Sequence, residues 1–144
     1  MKTLFYLLII FLLSPRSHAQ AKGDNTIKVH GISFLEICNA LLDAGYAIDK
    51  KDNELQTATS EVKDYDKYWN ASYKVSLRVK DSIAYITGLF TAPGRSGGVF
   101  KDEPMQYLVN RKGEVQKKAL ATYPFLLLNV FALSLGKQVT YSNR

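Results

Sequence analysis

Ala71 to Phe90 reads ASYKVSLRVKDSIAYITGLF, two alternating runs on either side of Asp81-Ser82. In the first run Ala71, Tyr73, Val75, Leu77 and Val79 share one side, and Ser72, Lys74, Ser76, Arg78 and Lys80 share the other. That period of two is the pattern of a half-buried strand. In the second run Ile83, Tyr85, Thr87 and Leu89 oppose Ala84, Ile86, Gly88 and Phe90. Both of its sides are largely apolar, which predicts a central strand. Two intervening residues leave room only for a tight reversal, although they lack the Asn-Gly or Asp-Gly of the strongest hairpin signal.

Working outward, the amino terminus carries a different kind of signal. Met1-Lys2 is followed by ten apolar residues, Leu4 to Leu13, then by the break at Ser14-Pro15 and small residues at Ala19 and Ala21. This is the pattern of a cleaved secretory leader. Ten apolar residues are too few for a bilayer core about 30 Å thick, so no transmembrane span is expected in the mature chain. The expected organisation is a leader over residues 1–21, cut after Ala19 or Ala21, and a single domain over 22–144. No cysteine follows the apolar run, so no lipidated amino terminus is expected.

Of 19 basic side chains, Lys2 and Arg16 leave with the leader, so 17 face 13 acidic ones and the net charge is +4. That is too little clustered charge for a nucleic-acid domain, and no nucleic acid is expected as a partner. Cys38 is the single cysteine, which excludes an internal disulfide and a cysteine-based metal site. An exported chain with one thiol points to the periplasm or surface of a Gram-negative bacterium.

Between leader and hairpin, Ile27-Lys28-Val29 is a short extended piece. Ser33 followed by Glu36 is a capping box, with Ile32 and Ile37 placed as a hydrophobic staple. The helix it opens sets Phe34, Ile37, Cys38 and Leu41 on an apolar stripe that Leu35 and Leu42 widen, and it stops at Gly45. Tyr46 to Ile48 starts a strand, Asp49 to Asn53 turns, and Leu55, Thr57 and Thr59 alternate through a second strand. Lys63 to Asn70 is charged and aromatic together.

Beyond the hairpin, Ala92 to Gly98 holds Pro93, Gly94, Gly97 and Gly98 and is expected to be the most mobile stretch. Met105, Tyr107 and Val109 share a face in a predicted last strand. Glu114 to Ala121 fits a helical turn or a loop. Pro124 suits a first helical position, and Phe125 to Leu135 is apolar at nine of eleven positions before Gly136. At about 16 Å it is half of what spanning a membrane needs, so it is expected to be a core helix. Val139 to Tyr141 closes the chain as an extended tail. The predicted fold is α+β, an antiparallel sheet of about four to five strands with two helices packed on one face.

Leu-Leu-Asp-Ala-Gly-Tyr-Ala-Ile (Leu41 to Ile48), a polar turn and then Leu55-Gln56-Thr57 opening a strand resemble the helix-grip-like domains of BamC-type outer-membrane assembly lipoproteins. The resemblance covers Ile27 to Phe90 and the final helix. It implies Gly45 as a helix stop and Ile48 and Leu55 as core, and it brings no catalytic residue.

No catalytic set stands out. Cys38 with His30 would need a third group to orient the histidine, and among Ile, Leu and Phe a cysteine behaves as a small hydrophobe. Gly94-Arg95-Ser96-Gly97-Gly98 lacks the Lys-Ser or Lys-Thr and the helix of a phosphate loop. Asp49, Asp52 and Glu54 lack the glycine and terminal glutamate of a calcium loop, and Asp64 with Asp66 lacks the geometry of a glycosidase pair. No metal and no cofactor is expected.

What remains is Tyr65, Tyr68 and Trp69 interleaved with Lys63 and Lys67, leading onto the strand side that carries Lys74, Arg78 and Lys80. Aromatics beside cations can hold sugars or anionic groups; equally, they can cap a core edge while the lysines keep a sheet face soluble. The expectation is a non-enzymatic envelope binding or assembly module whose partner is another protein, met through a sheet face or edge. The alternative is a binder of an anionic glycan or lipid head group through those eight residues, with an unrecognised hydrolase as the third reading.

Overall fold

The computed structural model describes residues 19–65, 70–94 and 96–143. The predicted leader lies outside them apart from 19–21, as do Asp66, Lys67, Tyr68, Trp69 and Arg95. Described elements follow the order β1 (Thr26–His30), α1 (Phe34–Asp43), β2 (Ile48–Asp52), β3 (Thr57–Ser60), β4 (Lys63–Asp64), β5 (Ser72–Lys80), β6 (Ile83–Pro93), β7 (Val99–Pro104), α2 (Thr122–Ser134) and β8 (Val139–Ser142). The class is α+β, as expected. The sheet has eight strands rather than four to five. Those beyond the prediction are short or lack alternation: β4 is two residues long and β7 is exposed throughout, so neither leaves a hydrophobic period to read.

β5 and β6 form the predicted hairpin with Lys80 opposite Ile83. Asp81 and Ser82 both have positive φ, 53° and 58°, the backbone of a primed two-residue turn, reached without glycine. β6 is central: β5 lies along one edge, while the other is shared by β1 opposite Ile83–Ile86 and β7 opposite Leu89–Pro93. Where β1 and β7 part, Gly88 O accepts the Met105 amide at 2.9 Å. The path β2-β3-β5-β6-β1-β8 joins both ends of the domain, with β8 antiparallel to β1.

Register sorts the side chains. Tyr73, Val75, Leu77 and Val79 lie opposite Phe90, Gly88, Ile86 and Ala84, and Ile86 and Ala84 oppose Ile27 and Val29. This face is buried in one cluster with Phe34, Ile37, Cys38 and Leu41 of α1 and Phe125, Leu128, Phe131 and Ala132 of α2. Where β3 gives way to β4, the ladder is repaired by Ser60, whose Oγ accepts the Val75 amide at 2.9 Å.

α1 has both halves of its capping box: Ser33 Oγ accepts the Glu36 amide and Glu36 Oε2 accepts the Ser33 amide. It ends as Gly45 N donates to Leu42 O and Tyr46 N to Leu41 O, with Gly45 at φ 79°, a Schellman closure that the missing Cβ permits.

Other boundaries moved. β2 occupies Ile48–Asp52, most of the predicted turn, and the reversal falls on residues 53–56. There Asp52 Oδ1 accepts the amides of Glu54 and Leu55, which leaves Leu55 68% exposed and not in the core. The Ala92–Gly98 stretch is partly strand, since β6 runs to Pro93, and Gly94 N donates to Gly98 O to close the β6–β7 reversal. Met105 to Val109 is not a strand. Met105 is buried against Gly88, and Val109 only bridges to Val115. α2 begins at Thr122, two residues before Pro124, because the whole first turn has amides without helical acceptors and tolerates a proline. It is not buried all round: Leu127, Val130 and Leu133 are 38, 66 and 52% exposed. Among the described residues no helix is long and apolar enough to cross a membrane.

Candidate functional site

Two concavities flank the sheet on opposite sides. The first lies where the end of α1, the start of β4 and the outer flank of α2 converge. It is a cleft of about 290 Å³ lined by Tyr46, Lys63, Tyr65, Tyr73, Tyr123 and Leu127 among others. The chain leaves α1 through Gly45 straight into Tyr46, whose buried ring meets Tyr73 edge-on at 6.5 Å and Phe131 at 6.1 Å. β4 sets Lys63 opposite Tyr73. The Lys63 ammonium sits 4.4 Å from the Tyr46 ring centroid and donates to Gly45 O at 3.3 Å, a cation held by a π face and a helix-end carbonyl. Tyr65 packs 5.5 Å from both Tyr73 and Tyr123 and donates its hydroxyl to Leu120 O at 2.6 Å.

Burial pushes the phenols of Tyr65 and Tyr73 well above the usual tyrosine range, Tyr73 further through its hydroxyl contact with Tyr46 and Tyr65 further through Tyr123. Both stay neutral. Below pH about 10 both folded and unfolded chains keep these protons; above it the unfolded chain loses them first, so stability falls as pH rises, by up to about 1.4 kcal/mol per pH unit for each phenol. Alkaline unfolding is therefore expected to track tyrosinate absorbance above that pH, with a shallower fall in Tyr73→Phe. Titration of every tyrosine near the ordinary value with circular dichroism unchanged would contradict it.

The second concavity is a groove of about 210 Å³ on the outward face, lined by Thr57, Thr59, Ser76, Arg78, Tyr85 and Thr87 among others. Arg78 lies opposite Thr57 and Tyr85, and Tyr85 lies opposite Lys28. The Lys28 ammonium is 5.8 Å from the Tyr85 ring centroid. At the far end β7 bulges opposite Thr91, with Asp102 at φ 52° donating its amide to Thr91 Oγ1 at 3.2 Å. This aims the Asp102 carboxylate at Lys74, 3.4 Å away.

Of the eight residues expected to act together, the five described ones are divided. Lys63 and Tyr65 belong to the inward side, while Lys74, Arg78 and Lys80 belong to the outward side, because register alternates them away from Tyr73. Lys67, Tyr68 and Trp69 lie outside the described residues, directly after Tyr65. Tyr65 is buried and hydrogen-bonded, so it offers no open ring for stacking. The described members therefore fall on two surfaces of the sheet and not on one.

Sequence reading missed Tyr46, Tyr73, Tyr123, Leu127 and Val130 in the cleft, since its walls come from four separate segments of the chain. It also missed Lys28 and Tyr85, which come from different segments. The alternation of Thr26, Lys28 and His30 was the available signal.

The catalytic alternatives separate on geometry. Cys38 is buried in α1 on the inward side, where burial pushes its thiol up, an inert setting. His30 shares the outward parity of Lys28 and bonds Thr140 Oγ1 through Nε2 at 2.8 Å, so the two cannot form a dyad. Asp52 is committed to its turn, and among the described residues no three His, Cys, Asp or Glu side chains gather where an ion could be held. No protein-family model matches the chain, and a search of curated proteins finds no relative.

Proposed function

We propose that this chain is a small non-catalytic binding module that docks another protein on the outer flank of α2, with the tyrosine-lined cleft receiving one of the partner's side chains. One observation carries the reading. Leu127, Val130 and Leu133, spaced at i, i+3 and i+6, point away from the core at 38, 66 and 52% exposure, and Leu127 and Val130 form the lip of the cleft. Apolar side chains aligned on one helix flank beside an aromatic pocket are the make-up of a protein-binding surface.

The β2 edge of the sheet fits this role less well than the helix. β2 presents Asp49, Lys50, Lys51 and Asp52 with a register shift after Ile48, a charged and irregular edge of the sort that discourages strand addition. Export to a bacterial envelope is part of the proposal and rests on the apolar leader over residues 1–21 and the single cysteine. The resemblance to BamC-type domains adds envelope assembly proteins as the partner class.

The test is affinity capture from a cross-linked envelope fraction with wild-type protein, with the double variant Leu127→Asp, Val130→Asp, and with Val130→Ile. A stoichiometric partner is expected with wild type and Val130→Ile and absent with the double variant, whose thermal midpoint stays close to wild type because both positions are exposed. Equal capture by the folded double variant overturns the proposal.

A further inference from the structure

We infer that the outward face of the sheet binds an anionic glycan laid across the strands, its acidic groups paired by Arg78 and Lys28. Register sets Thr57, Arg78, Tyr85, Lys28 and Thr140 in one row across β3, β5, β6, β1 and β8. Neighbouring strands are about 4.8 Å apart, so Arg78 and Lys28, two strands apart, stand about 10 Å from each other at the backbone. That separation suits acidic groups carried on every second sugar of an extended chain. Tyr85 between them sets the interval and holds the Lys28 ammonium against its ring.

The next row is Thr59, Ser76 and Thr87, hydroxyls that can both donate to and accept from sugar hydroxyls. The groove of about 210 Å³ lies over Thr57, Arg78 and Tyr85 of the first row and over the second row, with Lys28 standing beside it on β1.

Charge complementarity favours an anion. On the strands of this face Lys28, Lys50, Lys74, Arg78 and Lys80 stand against Asp52, Asp64 and Asp102. All three acids lie at the margins: Asp52 is engaged with the amides of Glu54 and Leu55, Asp102 with Lys74, and Asp64 stands on the two-residue β4 opposite Ser72 at the end of β5. The centre of the face is left with cations and hydroxyls.

The surroundings favour a glycan over a protein or a membrane. Among the described residues the exposed large hydrophobic side chains on this sheet are Val99 and Phe100 of β7, at its far end, and none lies on β1, β3, β5, β6 or β8, so the rows around Arg78 and Lys28 lack the exposed apolar anchors that a protein interface or a lipid surface uses. Carboxylate and sulfate would be recognised by the same forked guanidinium and point ammonium.

The experiment uses the full domain and measures binding to polygalacturonate, a sulfated glycosaminoglycan, neutral dextran, phosphatidylglycerol vesicles and polyglutamate at matched charge and fixed salt. Binding to one or both anionic glycans is expected, stronger than to vesicles or polyglutamate and absent with dextran. The carboxylated and sulfated arms tell the two acids apart. Arg78→Gln and Lys28→Gln should each weaken it about tenfold, as loss of a charge-assisted hydrogen bond implies, while Leu127→Asp, Val130→Asp binds the glycan normally. Polyglutamate bound as tightly as the glycans assigns the face to acidic protein segments, and preference for vesicles assigns it to lipid; either overturns the inference. So does glycan binding unchanged in the Arg78→Gln, Lys28→Gln double variant. Because the α2 variant is read in the same assay, failure here leaves the protein-docking proposal standing, and the reverse also holds.

Discussion

Phe125→Ala is expected to lower the unfolding free energy by about 3–5 kcal/mol, the range for deleting a fully buried phenylalanine. Phe125 is 1% exposed and its ring stands 6.1 Å from Tyr107 and 6.5 Å from Tyr141. It therefore ties α2 to the segment after β7 and to β8 at once. Few partners could collapse into the space it leaves, because two of them are rings already set by hydrogen bonds or backbone pairing: Tyr141 donates its hydroxyl to Asn129 Oδ1, and the Tyr107 amide donates to Asp24 O. A domain typically has about 5–15 kcal/mol in total, so the variant should unfold at much lower urea. Val130→Ala, on the same helix, should change stability by no more than about 0.5 kcal/mol, because its side chain is 66% exposed. Near-equal effects of the two substitutions in urea titration would mean that α2 is not docked on the sheet as described.

A double-mutant cycle at Gly88 and Met105 is expected to show strong coupling. A Cβ built on Gly88 would overlap Met105 Cε and stand 2.8 Å from its Sδ, with Lys74 O at 3.0 Å on the strand beside it. Methionine is the most adaptable of core side chains, but Met105 is 1% exposed, so its thioether has to repack among buried neighbours to clear a new methyl group. Gly88→Ala should cost about 1–3 kcal/mol as overpacking, and Met105→Ala about 2–5 kcal/mol as a cavity. In the double variant the new methyl group occupies part of the space the thioether left, so the combined loss should fall short of the sum by about 0.5–3 kcal/mol. Additive losses across the cycle would show that strand and methionine do not meet.

These two sites mark how far local reading reached. The hairpin, the central position of β6, the capping box at Ser33 and the stop at Gly45 were legible, because each depends on residues within one turn or one strand pair. In the sequence Gly88 is one more position on a largely apolar strand side; that it is the floor beneath Met105 depends on a residue seventeen positions away. α2 was read as buried on all sides because composition counts apolar residues without saying how many neighbours surround them. With the helix lying on one side of the sheet, the neighbours run out and Leu127, Val130 and Leu133 remain in water.

The candidate surfaces were less legible than the fold. Lys63 and Arg78 stand fifteen residues apart in one basic stretch, yet β4 and β5 turn them to opposite faces. Lys28 and Arg78 are fifty residues apart and stand in one row.

By itself the amino-acid sequence determined that this chain makes an α+β domain around a β5–β6 hairpin, with α1 started by Ser33 and Glu36 and ended at Gly45. Alternation, capping and turn backbone are short-range effects, and their physical causes lie within a few residues of one another. Tertiary structure alone decided which apolar flank of α2 stays exposed, which side of the sheet each cation occupies, and that Tyr85 falls between Arg78 and Lys28. Those outcomes come from strand register and from the finite area of one sheet face, and both arise only when segments far apart in the chain compete to cover the same core.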